Sequence, residues 1–149
     1  MEINGLPLHA LVVHAAVVFG PLSALAGFAY AVPKWRDKVR WPLVASVAIA
    51  LVSIWVAYLS GEQLEEANEY GGPLAELVET HEDRAGMLRI SITAFALVSF
   101  VAAWLHTRKP GIPASAAAGV VAGLAGVTFV YTILTGDAGA QIAWYGTNG

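Results

Sequence analysis

Three histidines and two acidic residues carry the side chains of this sequence that are best suited to bind a metal ion or a haem. They are His9, His14, His81, Glu62 and Asp137. Imidazole nitrogens together with carboxylate oxygens suit Zn, Fe or Cu better than Ca or Mg. Two histidines alone could instead be the axial ligands of a b-type haem. The sequence has no cysteine, no HExxH and no CxxCH, so the prediction depends on whether folding brings these residues together.

His14 is the histidine that most needs an explanation, because it lies in an apolar segment, 3–33, that contains no charged residue. Ionisable side chains at membrane depth usually face the interior of a bundle and find a partner there. At about 100° per residue, His9 and His14 point roughly 140° apart on one helix, so both cannot bind one ion. We therefore predict that His14 and His81 are the main ligands. The predicted cofactor ligands are His14, His81 and His9, and the predicted metal ligands are His14, His81, Glu62 and Asp137.

Four long segments without Asp, Glu, Lys or Arg dominate the chain. Hydrophobic residues make up 57% of the 149 residues and charged residues only 13%, too few to coat a soluble exterior. A helix of roughly 20 apolar residues crosses the ~30 Å hydrocarbon layer, and the alternating segments typical of a transmembrane barrel are absent. The sequence therefore predicts an all-α membrane protein, a bundle of four transmembrane helices. The charge-free segments are 3–33, 41–61, 90–107 and 110–136.

All four helices are predicted to belong to a single domain over residues 1–149. The predicted spans are about 8–32, 42–60, 86–106 and 113–135, with an acidic outer loop over 61–85. Within this loop, apolar residues from Leu74 to Val78 and then His81 recur at the spacing of one helix face. The loop is therefore predicted to contain a short amphipathic helix, which either lies on the bundle or leads into the third transmembrane helix.

Basic residues are concentrated in two short connections between the predicted helices. The first connection contains Lys34, Arg36, Lys38 and Arg40, and the third contains Arg108 and Lys109. Short loops rich in Lys and Arg stay in the cytoplasm. We therefore predict that both termini and the acidic loop are extracytoplasmic. In this orientation the candidate ligands of all four helices lie near the extracytoplasmic face.

The fourth predicted helix carries a face of small residues. Gly119 and Gly123 form a GxxxG pair, and Ala122 with Gly126 repeats the spacing. Small residues let the backbones of two helices approach closely in lipid. The face is predicted to pack either inside the bundle or against a second copy of the chain, which would form a homo-oligomer.

Several classes of function lack their sequence signals. No serine lies in a nucleophile-elbow motif, and no glycine-rich loop opens a helix as a phosphate site requires. No basic stretch with interleaved aromatic residues points to nucleic acid. We interpret the chain as a protein that is not a stand-alone enzyme, that has the lipid bilayer as its main partner and that does not bind nucleic acid.

Both ends of the chain carry a family resemblance. The motifs are GLPLHALVVHAAVV at the start, SGEQLEE after the second predicted helix and TGDAGAQIAW near the end. With these motifs the chain resembles the bacterial integral-membrane family catalogued as domain of unknown function 2231. The resemblance implies a four-helix domain in the bacterial plasma membrane, and the fusion of some relatives to Rieske iron–sulfur domains implies redox work. Family members typically have His-Pro where this chain has His9 followed by Ala10.

Functions from different classes are compatible with these features. The leading hypothesis is a membrane domain for electron transfer or metal handling, with a metal or haem site near its extracytoplasmic face. The alternative is a non-catalytic accessory subunit of a larger respiratory or envelope complex, which the small size and the small-residue face would suit. A carrier for protons or small solutes is a third hypothesis, although no predicted helix has a carboxylate at mid-membrane depth.

Overall fold

The computed structural model describes residues 2–3 and 6–146, and four long helices make up most of it. The helices are α1 Leu8–Ala31, α2 Arg36–Glu66, α3 Pro73–Arg108 and α4 Ile112–Ala143. Each of them is long and apolar enough to cross a membrane. Before α1, the two-residue strands β1 (Glu2–Ile3) and β2 (Leu6–Pro7) pair in antiparallel fashion. The predicted architecture of four long apolar helices is confirmed.

The four helices form an antiparallel bundle. α1 lies against α2 and α4, and α3 lies against α4 and α2. The connections are short, residues 32–35, 67–72 and 109–111, and short connections make consecutive helices antiparallel neighbours. The starts of α1 and α3 and the ends of α2 and α4 therefore meet at one end of the bundle. We call it the acidic end, because it contains Glu62, Glu65, Glu66, Glu76, Glu79 and Glu82.

Three of the helices extend well beyond their predicted spans. The predicted acidic loop, 61–85, is largely helical, and only residues 67–72 separate α2 from α3. Its sequence is rich in good helix formers, mainly Glu, Leu and Ala. Pro73 occupies the first position of α3, where proline is favoured. The predicted short amphipathic helix is therefore the first part of α3 rather than a separate element.

α3 is too long to lie entirely within the hydrocarbon layer. Its 36 residues extend over about 54 Å, against ~30 Å for the layer. The charge-free part of α3, residues 90–107, matches this thickness, so the charged turns of residues 73–89 project beyond it. We take the membrane-spanning segments to be the charge-free parts of the four helices. These parts are 8–31, 41–61, 90–107 and 112–136.

Glycines in α1 allow the closest contacts at the centre of the bundle. A Cβ on Gly20 would lie 2.9 Å from the Thr132 side chain of α4, and a Cβ on Gly27 would lie 2.9 Å from the Ala125 Cβ. Real Cβ atoms essentially never approach so closely, so only glycine fits at either position. This packing turns the face of α1 that carries both glycines towards the core and leaves the opposite face outside.

The small-residue face of α4 has no such role within the bundle. A Cβ on Gly119 or Gly123 would meet no neighbouring atom of the described residues within 4 Å, and one on Gly126 would come only to 3.9 Å from Phe28. Of the two uses predicted for this face, packing inside the bundle therefore does not apply to Gly119 and Gly123. Packing against a second copy of the chain stays a prediction.

Arg36 holds the opposite end of the bundle together. Its buried guanidinium donates from Nε to the Tyr30 carbonyl (3.2 Å) and from Nη2 to the Ala31 carbonyl (3.5 Å). Its Nη1 donates to the Ser115 hydroxyl of α4 at 3.4 Å. The last carbonyls of a helix have no partner within that helix, so this arginine of α2 caps α1. Arg36 thus connects three helices in addition to carrying a positive charge.

Candidate functional site

A cavity of about 470 Å³ lies between all four helices at the acidic end of the bundle. Its size is within the range of pockets for small molecules and cofactors. Apolar residues of the core line it, among them Ile54, Val78 and Leu88. The polar residues that line it include His9, Glu62, Glu65, His81, Glu82 and Thr135.

His9 of α1 and His81 of α3 line this cavity, with their ring centroids 6.4 Å apart and their ring planes at 89°. The Nδ1 atom of His9 is 2.8 Å from the Ala57 carbonyl oxygen of α2. The Nδ1 atom of His81 is 3.0 Å from the Thr135 carbonyl oxygen of α4. A carbonyl oxygen only accepts, so both Nδ1 atoms donate, and a neutral ring then carries its lone pair on Nε2. Histidines that bind metal ions are commonly oriented by the same kind of bond to a carbonyl.

Two glycines make room for these imidazole rings. A Cβ on Gly61 of α2 would lie 3.2 Å from the His9 ring, and a Cβ on Gly139 of α4 would lie 3.1 Å from Cε1 of His81. Both distances are tighter than nine in ten real Cβ contacts. Each ring therefore rests on the backbone of the helix whose carbonyl it binds, so a contact and a hydrogen bond together fix its position.

The outer part of the cavity, beyond the membrane-spanning segments, contains a pair of carboxyl groups. Glu82 of α3 forms a hydrogen bond with Glu65 of α2, and this bond, burial and the nearby acidic charges raise the pKa of Glu82 to about 7. Burial lowers the pKa of the adjacent His81, although its bond to the Thr135 carbonyl acts in the opposite direction. Near neutral pH, His81 is therefore uncharged and Glu82 is protonated in part of the molecules.

His14 lies outside the cavity, on the exposed face of α1. Its Nδ1 atom bonds the Ala10 carbonyl of its own helix at 2.8 Å. The sequence predicted that His14 and His81 lie together. In the structure His14 is not paired with His81, and His9 faces His81 instead. The reason is the rotation of α1 about its axis, because the face that packs closely through Gly20 also carries His9.

The four predicted metal ligands, His14, His81, Glu62 and Asp137, do not come together. Glu62 lines the cavity with His81, but Asp137 is exposed and contacts Arg84 at 3.6 Å and Gln141 at 2.9 Å. In the part of the chain that the structure describes, no three His, Asp or Glu side chains are grouped so that they could hold a metal ion. These residues therefore do not form the expected site of two nitrogens and two carboxylates.

Comparison with protein families agrees with the resemblance seen in the sequence. A family model described as a predicted membrane protein (DUF2231) matches residues 5–148. The chain belongs to the DUF2231 family. No curated protein and no solved structure matches the chain.

The terminal motifs of this DUF2231 chain meet at the cavity. GLPLHALVVHAAVV leads into α1 and carries His9, and TGDAGAQIAW ends α4 and carries Gly139, on which His81 rests. Gly5 of the first motif lies outside the described residues. The segments that carry the family resemblance therefore also build the pocket with the two imidazoles.

Sequence reasoning missed most of the groups that position the two rings. Every residue has a main-chain carbonyl, so the residue types Ala57 and Thr135 do not reveal that their carbonyls accept hydrogen bonds from histidines. Gly61 resembles any other glycine near the end of a helix. Gly139 belongs to the TGDAGAQIAW motif, and a glycine, which has no Cβ, is the one signal in the sequence that another group can approach closely there. Glu82 lies in the predicted acidic outer loop, 61–85, and the sequence does not show that α2 and α3 bring it against Glu65.

Proposed function

We propose that this chain is an electron-transfer domain of the bacterial plasma membrane that binds a b-type haem between His9 and His81. The observation that supports this most is the pair of imidazoles on one largely apolar cavity, each held through Nδ1 by a main-chain carbonyl. A b-type haem needs axial ligands and an apolar pocket but no covalent link to the protein. The chain has no cysteine that could provide such a link.

The separation of the two rings favours a haem over an isolated metal ion. A metal–nitrogen bond is about 2 Å long, so two imidazoles on opposite sides of one iron have their centroids roughly 6 Å apart. The observed separation of 6.4 Å is close to this value. A tetrahedral ion would bring the rings closer together and would need further ligands, and the described residues contain no group of three that could supply them.

The residues around the cavity have distinct roles in this proposal. His9 and His81 would bind the iron through Nε2, and the carbonyls of Ala57 and Thr135 would fix the orientation of the rings. Apolar side chains such as Leu88 would exclude water from the haem. The haem, when bound, supplies one-electron oxidation and reduction.

Titration of the purified protein with haemin in detergent tests the proposal. We expect a Soret band that grows linearly until one haem is bound per chain, with the visible bands of a six-coordinate low-spin haem. The single cavity accounts for the expected stoichiometry, and the two histidines that line it account for the expected six-coordinate iron. A spectrum of free haemin at every ratio would contradict the proposal.

We also propose that the acidic end of the bundle is extracytoplasmic and that both termini lie outside. The charges support this orientation, because Lys34, Lys38, Arg108 and Lys109 all lie at the opposite end, and short basic loops stay in the cytoplasm. Alkaline phosphatase fused after residue 149 is expected to be active, since the enzyme works only outside the cytoplasm, and a fusion at Lys38 is expected to be inactive. The reverse pattern would place the cavity on the cytoplasmic side.

Replacing Gly139 by valine is expected to weaken haem binding by about tenfold or more. The added carbon atoms would occupy the space of the His81 ring, 3.1 Å from a Cβ at this position, and would move the ring from the Thr135 carbonyl. Loss of such an orienting contact costs about 10–100-fold in affinity for a metal. The haemin titration measures the effect, and Gly86→Val is the matched control, because a Cβ on Gly86 meets nothing within 4 Å. Equal affinities of the two variants would show that the close contact has no role in binding.

A further inference from the structure

We infer that the cavity opens sideways into the bilayer, between α1 and α4, and that its ligand enters from the lipid rather than from water. This inference rests on the proposed function, because it takes the ligand to be a haem. A haem is flat and mostly apolar, so it partitions into a membrane. The inference adds the route of entry and the helices that form the opening.

Among the described residues, the exposed ones of the cavity wall lie on only two of the helices. On α1, Val17 is 54% exposed, and on α4 the exposed wall residues are Gly136, Ala140 and Ala143. Every described wall residue of α2 and α3 is buried or half-buried. The cavity is therefore open on the side of α1 and α4 and closed on the side of α2 and α3.

The small side chains of α4 account for this opening. α1 and α4 are in close contact where Gly20 lies against Thr132. Beyond this contact, towards the acidic end, the α4 residues on the cavity wall include glycine or alanine at 136, 139, 140 and 143. Such residues fill little of the space between two helices. α1 and α4 therefore touch at the inner edge of the opening, and a gap separates them between this contact and the acidic end.

The inner part of the opening lies at the depth of the lipid. Val17 is nine residues after Leu8, the first residue of α1, and this separation corresponds to about 14 Å along the axis. Val17 belongs to a charge-free, membrane-spanning segment, and at this distance from the start of α1 it lies inside the ~30 Å hydrocarbon layer. A molecule just outside this part of the opening is therefore in hydrocarbon.

The side of the cavity that faces water is less suited to the entry of a haem. Glu62, Glu65 and Glu82 line the cavity there and are half-buried. A haem carries carboxylate groups of its own, so like charges oppose its passage between these side chains. The apolar opening between α1 and α4 presents no such charge.

Transfer of haemin from donor vesicles to the haem-free protein in liposomes tests the inference. Val17→Trp narrows the opening and Val17→Ala widens it. The same substitutions at Val18 are matched controls, because Val18 is 59% exposed on the same helix and is not part of the cavity wall. We expect V17W to load about tenfold more slowly than the wild type, because the larger side chain obstructs the opening; a tenfold change in rate corresponds to about 1.4 kcal/mol on the entry barrier. We expect V17A to load faster than the wild type, and both Val18 variants to load at the wild-type rate.

The outcomes separate this inference from the proposed function. A faster V17A beside an unchanged V18A supports the inference even if V17W does not load at all, because a general loosening of α1 would speed both alanine variants. Equal loading rates in the wild type and all four variants, or a V18W that loads as slowly as V17W, would overturn the lateral route. The proposed function would still stand in that case, because haem would be bound. If the wild type binds no haem in liposomes or in detergent, the proposed function is overturned and this inference with it.

Discussion

Replacing His9 or His81 by alanine is expected to abolish stoichiometric haem binding, whereas replacing His14 is expected to leave it intact. Each of the first two variants lacks one of the two imidazoles that line the cavity. Loss of a partner that merely orients a ligand costs about 10–100-fold in affinity, so loss of the ligand itself should cost more than about 100-fold. The measurement is the haemin titration, followed through the Soret band.

His14→Ala is the matched control, because His14 lies on the same helix as His9 but outside the cavity, with its Nδ1 bonded to the Ala10 carbonyl of its own helix. His9→Met provides a second test, since a methionine thioether also binds haem iron. This variant is expected to retain haem with an altered spectrum, which a purely structural role of His9 would not explain. If H14A loses haem while H9A retains it, the ligand is His14 and the pairing seen in the structure is not the functional one.

Replacing Gly27 by valine is expected to lower the free energy of unfolding by about 3 kcal/mol. A Cβ at this position would lie 2.9 Å from Ala125 and 3.0 Å from Phe95, and both of these neighbours are fully buried. The larger side chain must therefore push α4 and α3 away from α1, which disturbs packing along the bundle. Equilibrium unfolding in mixed micelles measures the change.

Gly123→Val is the matched control for this prediction, because it makes the same substitution within a membrane-spanning helix. No neighbouring atom of the described residues lies within 4 Å of a Cβ on Gly123. Its effect on the free energy of unfolding of the monomer is therefore expected to stay within about 0.5 kcal/mol, as for most substitutions on a surface. Similar losses for G27V and G123V would mean that close contact of α1 with α3 and α4 does not limit the stability of the bundle.

The four helices could be predicted from the sequence because a long charge-free segment in lipid has to satisfy its own backbone hydrogen bonds. The ends of the helices could not be predicted in this way. Counting apolar residues finds the part of a helix that lies in hydrocarbon, but α2 and α3 continue into water through residues that favour helix for other reasons. The loop predicted over 61–85 is therefore mostly helical.

The site could be predicted only in part. Alternation of helix direction places His9, Glu62 and His81 at one end of the bundle, and this much follows from the sequence. Which histidine of α1 faces inward depends on the rotation of that helix, and α1 is apolar on every face, so periodicity does not reveal the rotation. The rotation follows from the close contact at Gly20, which becomes visible only when α4 is in place.

The electron paramagnetic resonance spectrum of the ferric, haem-loaded protein shows whether both His9 and His81 bind the iron, because the spectrum depends on the ligands of the iron. We expect the low-spin signal of a haem iron with two imidazole ligands, at one haem per chain. This prediction follows from the two rings that line one cavity 6.4 Å apart. A high-spin signal, or a protein that takes up no haem, would contradict the claim that His9 and His81 together form a haem site.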